Sequence, residues 1–296
     1  MLEFKTSIFL KILSSLFFLG SGIIWKKILM GERKNYHFIF FRVIASLFFL
    51  SAIALFARFF ELDFFKPLEF ATISITDWII CVCICLFSFW GLYFYTNAMQ
   101  IGRYSIAAPL VVVSSAFSFL TSLMVYGETL SNSKYGALAL ISIGLLVHQK
   151  EKLRQFQMSK EVVLVLLFSL FWGISFVFYL IPIKKFDVLS FSIILEICVL
   201  ISCVGLLIFK EKRLYPPKVD RRSSLFCLLM GFLVAGGTLL SNFTLTQFQV
   251  SLNILIGLLF ELITVAVGLY FFKEKLHLKD YILIVFASIG GFLLLL

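Results

Sequence analysis

Charge is scarce in this chain of 296 residues. Acidic and basic side chains together make up 14% of it, against 61% hydrophobic residues. Soluble domains carry about a quarter of their residues charged, so a soluble globule is excluded. Polar connections are short as well: the longest, around 58–77, 148–160 and 210–223, leave no room for a soluble catalytic module. Only three histidines occur (His37, His148, His277), all at the ends of apolar runs, and no aspartate lies deep within a run. An intramembrane protease or lipid transferase needs His/Glu, Asp/Asp or Ser/His sets inside its spans, and these are missing. A retinal-type Schiff base needs a mid-span lysine; every lysine is read at a helix end or in a connection. Rings of like charge, expected of a channel, are absent, as is any G-x-x-x-x-G-K-[ST] phosphate loop. Any driving force for transport would therefore come from a gradient.

What the chain has is length of apolar sequence. A helix needs roughly 17–25 apolar residues to cross a bilayer core. Ten runs of this kind or near it are read at about 8–29, 36–57, 78–98, 104–125, 134–148, 161–182, 187–209, 223–246, 250–272 and 279–296. The fifth is the shortest. Backbone groups at that depth meet no water and must bond within their own segment, which makes the fold all-helical. No small-residue cleavage site follows the first run, so it is read as the first span rather than as a cleaved signal. The formal charge of +10 is a property of the connections. Counted on alternate sides of ten spans, Lys and Arg number 18 against 7, with Arg42 inside a span. The positive-inside rule then expects both termini outside.

One pattern occurs twice. Tyr126-Gly127-Glu128-Thr129-Leu130, followed by Lys134-Tyr135-Gly136, returns 146 positions later as Phe272-Lys273-Glu274-Lys275-Leu276, followed by Asp280-Tyr281-Ile282. Phe171-Trp172-Gly173 opens the second half as Phe18-Leu19-Gly20 opens the first, and Gly290-Gly291 closes it. With Asn97-Ala98-Met99-Gln100, Ala107-Ala108-Pro109-Leu110 and Ile143-Gly144, the first corner resembles the end of an EamA-type domain, the five-helix unit of the drug/metabolite transporter superfamily. The resemblance runs over nearly the whole chain, and its motifs are short. It implies an all-α integral membrane fold of ten transmembrane helices in two five-helix repeats, residues 1–150 and 151–296. An odd number of spans per repeat inverts the second against the first, the architecture of many secondary transporters. Two positions depart from the pattern. Leu255 stands opposite Pro109, and Lys273 replaces the glycine of the second corner, which is expected to loosen that turn.

Ionisable side chains inside spans are costly and mark candidate pathways. Three stand out: Glu261 in the middle of span nine, Glu196 about nine residues into span seven, and Arg42 about six residues into span two. An offset of 154 between the halves superposes Arg42 on Glu196, so one repeat position carries both signs. Helical spacing joins Asn253, Gly257, Glu261, Thr264 and Gly268 on one face, and Gly231, Ala235, Thr238, Asn242 and Thr246 on another. Span four carries Ser115, Ser118 and Ser122 in the same way. Glu261, Arg42, Glu196, Asn253, Asn242, Tyr95, Gln100, Trp172 and Tyr179 are the expected substrate-binding residues, and Glu261 the candidate for proton coupling. Trp172 and Tyr179, seven apart, are expected on one face of span six. Bland readings stand beside these. Small-residue stripes also serve close helix packing, Arg42 is near enough to a helix end to snorkel, and Arg42 with Glu196 also fits a purely structural pair.

Six cysteines lie in apolar runs, and Cys81-x-Cys83-x-Cys85 suggests a metal at first sight. A helix turns Cys83 away from the other two, so the six are read as packing residues, with no metal and no cofactor expected. The combined expectation is a secondary transporter of a small polar metabolite, amino-acid-like or related, working by alternating access. Its partners are that solute and the lipid bilayer, with no nucleic acid and with a monomer sufficient. The expected location is a multi-pass site in a bacterial inner membrane. A membrane-embedded sensor of small molecules without transport is the alternative.

Overall fold

The computed structural model describes residues 4–29, 34–60, 73–101, 112–127 and 160–247, most of 267–295, and scattered positions within 132–147 and 250–263. These residues form helices and no strand. In chain order the helices are α1 (Phe4–Leu29), α2 (Asn35–Phe59), α3 (Ile75–Ile101), α4 (Val112–Tyr126), α5 (Lys160–Phe178), α6 (Leu180–Phe186), α7 (Val188–Glu211), α8 (Arg221–Gln247) and α9 (Leu278–Leu295). Five are long and apolar enough to cross a membrane, and α5 with α6 makes a sixth when counted as one broken span. They coincide with the expected spans one, two, three, six, seven and eight. The fifth and ninth expected spans, and the start of the fourth, fall largely outside the described residues.

Local chemistry sets the helix ends. Ser74 caps α3: its hydroxyl accepts the Asp77 N–H at 3.1 Å and donates to the Asp77 carboxylate at 2.7 Å, a reciprocal cap of the Ser-x-x-acid kind. Pro216 and Pro217 keep the α7–α8 connection from continuing as helix. Asp220 then opens α8 by accepting the Ser223 N–H at 3.1 Å. At the end of α7, Lys212 turns left-handed with φ 57°, and its N–H returns to Ile208 O. Pro182 accounts for the break between α5 and α6. Its ring has no N–H to give and crowds the carbonyl four residues back, at Phe178. There the axis bends by 41°. Tyr179 is the residue between the two helices, so the face on which spacing expects Trp172 and Tyr179 crosses this break.

The chain forms two compact units, Met1–Tyr93 with Phe178–Gln247 and Phe94–Val177 with Phe248–Leu296. Each takes residues from both halves of the sequence. In the first unit α8 packs on α1, α2 and α7. The buried faces follow helical spacing: Arg42, Ser46 and Leu50 on α2; Ser192, Glu196, Val199, Cys203 and Leu207 on α7; Cys227, Gly231, Ala235, Thr238 and Asn242 on α8. The outward faces of the same helices carry Phe48 and Leu55, Ile197 and Ile201, and Leu225 and Phe232. Polar groups inside and large apolar groups outside is the distribution that a lipid solvent selects. Glycines bring the helices together. A Cβ at Gly231 would stand 2.3 Å from Ala45 Cβ and 2.8 Å from Ser46 N, while Gly236 and Gly237 lie under the rings of Phe17 and Phe18.

In the second unit Gly173 does the same for α5 against α4, since a Cβ there would come 2.6 Å from Ser114 O. Ser118 Oγ donates to Gly173 O at 3.0 Å, and Tyr126 OH donates to Val177 O at 3.1 Å. Ala98, Val162 and Val165 form a small buried apolar cluster between the end of α3 and α5.

Candidate functional site

Arg42 and Glu196 meet directly. Arg42 Nη1 donates to Glu196 Oε1 at 2.5 Å and to Oε2 at 2.8 Å. The two side chains are 3% and 4% exposed, so the guanidinium is held inside the unit and does not snorkel. Two charges taken out of water repay their desolvation only through close contact of this kind. One turn before Glu196 on α7, Ser192 Oγ accepts from Asn242 Nδ2 at 3.0 Å, so the α8 amide joins the same polar interior. Next to Asn242, Ser241 Oγ accepts from Lys11 Nζ at 3.3 Å. Ser14, one turn further along α1, donates to Gly237 O at 2.8 Å. Lys11 corrects the reading of every lysine as a helix-end or connection residue: it lies inside α1 and is 6% exposed.

A second polar cluster, at the α2 N-terminus and the α7 C-terminus, was not anticipated from sequence. Glu211 Oε1 accepts from Lys34 Nζ at 2.8 Å and from Tyr36 OH at 2.7 Å, and His37 Nε2 lies 2.8 Å from it. Lys210 Nζ donates to Tyr93 OH at 2.8 Å and sits over the rings of Tyr36 and Tyr93. The hydrogen bond from Lys34 to Glu211, followed by its contact with Tyr36, holds the Lys34 ammonium above its ordinary pKa. The signal was faint in the sequence. Lys34, Tyr36, His37 and Glu211 read as ordinary helix-end residues, and only the antiparallel contact of α2 with α7 converges them.

The other expected residues are placed as follows. Tyr179, in the first unit, pairs its hydroxyl with that of Ser88 and meets Phe191 edge-on. Tyr95, Gln100, Trp172 and Asn253 belong to the second unit. Tyr95 lies 4.9 Å from the Phe168 ring and Trp172 lies 6.0 Å from it, so the two flank one phenylalanine. Gln100 is half-buried in the last turn of α3, and Asn253 is fully buried. Glu261 lies outside the described residues. Cys81 and Cys85 are buried and Cys83 is exposed, as helical geometry requires. Of the expected set, then, Arg42, Glu196 and Asn242 come together in one polar interior.

The profile of the EamA-like transporter family matches the sequence twice, over residues 6–148 and 159–296. The chain belongs to the EamA-like transporter family. An EamA-like transporter is a multi-pass membrane protein that moves small molecules, which accords with apolar outer faces around a polar interior. The two matched segments agree with the duplication read from the Gly127 and Lys273 corners. No curated protein matches the chain in sequence. The solved structures similar in fold include a crystal structure with a TM-score of 0.63. The match covers 95% of this chain and 96% of that one at 11% identity, and concerns the fold alone.

Proposed function

We propose that this EamA-like chain is a secondary transporter that moves a small polar metabolite, amino-acid-like or related, by alternating access. In this reading the chain makes ten spans in two inverted five-helix repeats, 1–150 and 151–296, in a bacterial inner membrane. The observation that carries it is the burial of Arg42 and Glu196, with Asn242 close by, among helices whose outer faces are apolar. Charges placed there cost stability, and a membrane protein keeps them where a polar solute must pass. No ATP-binding loop accompanies them, so a gradient supplies the drive. Glu261 is the residue assigned to carry a coupling proton. Asn253, Tyr95, Gln100, Trp172 and Tyr179 complete the assigned contacts with solute. The bilayer and the solute are its partners, and one chain suffices.

The test is counterflow uptake of labelled amino acids and related metabolites into proteoliposomes, comparing the wild type with Glu261→Gln. Saturable uptake by the wild type upholds transport, and its loss of response to a pH gradient in Glu261→Gln places the coupling proton. Uptake whose pH response survives the substitution removes Glu261 from that role. Protein that is folded but inert toward a widened panel turns the reading toward a sensor.

A further inference from the structure

We propose that the side edge of the Arg42 guanidinium, formed by Nε–H and Nη2, is a binding site for the carboxylate of a small organic acid, and that Glu196 is the residue that positions it. The proposal rests on the transport reading for the idea that this ligand is the cargo. It goes further in naming the recognised group and in taking Glu196 out of direct contact with solute.

An arginine carries five N–H donors in a rigid plane. Glu196 engages only one nitrogen, since both of its oxygens lie against Nη1. Nε is fully buried and meets no acceptor among the described residues. Neither Glu196 oxygen is bonded to Nη2. On the guanidinium plane these two nitrogens point their hydrogens in parallel along one edge, the geometry that a carboxylate accepts with both oxygens at once. A buried donor left unsatisfied is costly, so this edge calls for an acceptor. Holding Glu196 does not require it: one nitrogen suffices, and a lysine would supply one. The fork is what arginine adds over lysine at this position.

The surroundings favour an oxyanion over a cation. Both Glu196 oxygens already face Nη1, so the pair offers no second carboxylate edge to an ammonium group. Ser46, one turn on along α2, gives its hydroxyl proton to Gly231 O at 3.1 Å. That bond ties α2 to α8 close to Arg42. Glu196 on α7 thus holds the arginine through Nη1 and leaves the Nε edge unused, while the Ser46–Gly231 contact holds α2 against α8 one turn away. The recognised class is a small carboxylate, with no requirement for an amine.

The experiment uses full-length protein. Thermal unfolding in detergent is followed in sodium acetate, sodium chloride and sodium phosphate at matched ionic strength. The proteins are the wild type, Arg42→Lys, and the neutral pair Arg42→Gln with Glu196→Gln. Acetate is expected to raise the wild-type midpoint by several degrees over chloride and to leave both variants unmoved. The neutral pair serves if Arg42→Lys fails to fold, because it removes the fork without stranding a buried charge. No gain from acetate in the wild type, or an equal gain in the variants, overturns the site. A larger gain from phosphate than from acetate overturns the carboxylate assignment in favour of a tetrahedral oxyanion, free or on a lipid headgroup.

In proteoliposomes, lactate is compared with lactamide and leucine with leucinamide. Uptake is expected for the acids and not the amides, and about tenfold lower uptake of the acids in Arg42→Lys. Acids and amides taken up equally would also overturn it. An acetate shift lost in the variants, with no uptake of any compound, upholds the fork and sinks the transport reading. Uptake without any acetate shift does the reverse.

Discussion

Lys273 holds the left-handed backbone conformation that Gly127 holds 146 positions earlier, with φ 50° against 65°. The Gly-to-Lys replacement, expected to loosen the second corner, leaves the backbone left-handed at that position with a residue that resists it. A side chain in this region costs roughly 1–2 kcal/mol, and glycine escapes that cost. Lys273→Gly should raise stability by about 0.5–1 kcal/mol, the relief of strain being partly offset by the wider freedom of unfolded glycine. Gly127→Ala should lower it by a similar amount, about 0.5–1 kcal/mol, from the same two terms with their signs reversed, even though an added Cβ would meet nothing within 4 Å. Thermal unfolding of the purified protein reads both, and opposite signs are the expected result.

Two helical glycines should respond for another reason. At Gly231 and Gly173 the backbone is ordinary helix, and the obstruction is backbone of a neighbouring helix: Ser46 N at 2.8 Å and Ser114 O at 2.6 Å. Backbone cannot rotate aside as a side chain can. Alanine at either position should cost about 1–3 kcal/mol. Gly205, where an added Cβ meets nothing within 4 Å, is the control. There alanine should stabilise α7 slightly through helix propensity.

The Arg42–Glu196 pair should behave as a unit. Removing one member strands the other charge in the interior, and Arg42→Met or Glu196→Leu should each cost about 3–5 kcal/mol. The double variant should cost less than either single change, because no charge is left without its partner. A double-mutant cycle on unfolding midpoints measures this coupling. Additive losses would mean that the two residues act independently and that their bond adds nothing to the fold.

Asp187 predicts a pH dependence outside the spans. It opens α7, accepting the Leu189 N–H at 3.2 Å. Burial raises its carboxyl above the ordinary value of 3.8, outweighing backbone hydrogen bonds from Val188, Leu189 and Ser190 that pull it down. A raised folded value means that the fold favours the protonated form. Its contribution to stability is then fully present below 3.8 and is lost as pH rises through the raised value. Asp187→Asn keeps an oxygen for the cap and does not titrate. Wild-type stability relative to Asp187→Asn should therefore improve as pH falls from 7 towards 4. Parallel profiles for the two proteins would rule the effect out.

Much of the fold was legible because lipid imposes few solutions. Apolar runs of span length placed α1, α2, α3, α7 and α8 to within a few residues. Spacing alone put Cys83 on the face opposite Cys81 and Cys85. Pro182 marked a break that a hydropathy reading of 161–182 as one span smoothed over. Arg42 and Glu196 were legible as costly charges at one repeat position, 154 apart. Their direct bond was legible only as one reading beside snorkelling and solute contact, because a long arginine side chain has a reach that helix depth alone does not fix. Glu211 was missed for the opposite reason: nothing distinguishes it locally from other charges at helix ends.

By itself, then, the sequence determined that this chain lies in a membrane as helices with polar inner faces, since hydrophobic length and helical period are local properties. Only the tertiary structure decided which inner faces meet. The Arg42 contact with Glu196, the convergence of Lys34, Tyr36 and His37 on Glu211, and the strained turn at Lys273 depend on helices far apart in the chain, or on dihedral angles set by packing. Those couplings have no local periodicity to betray them.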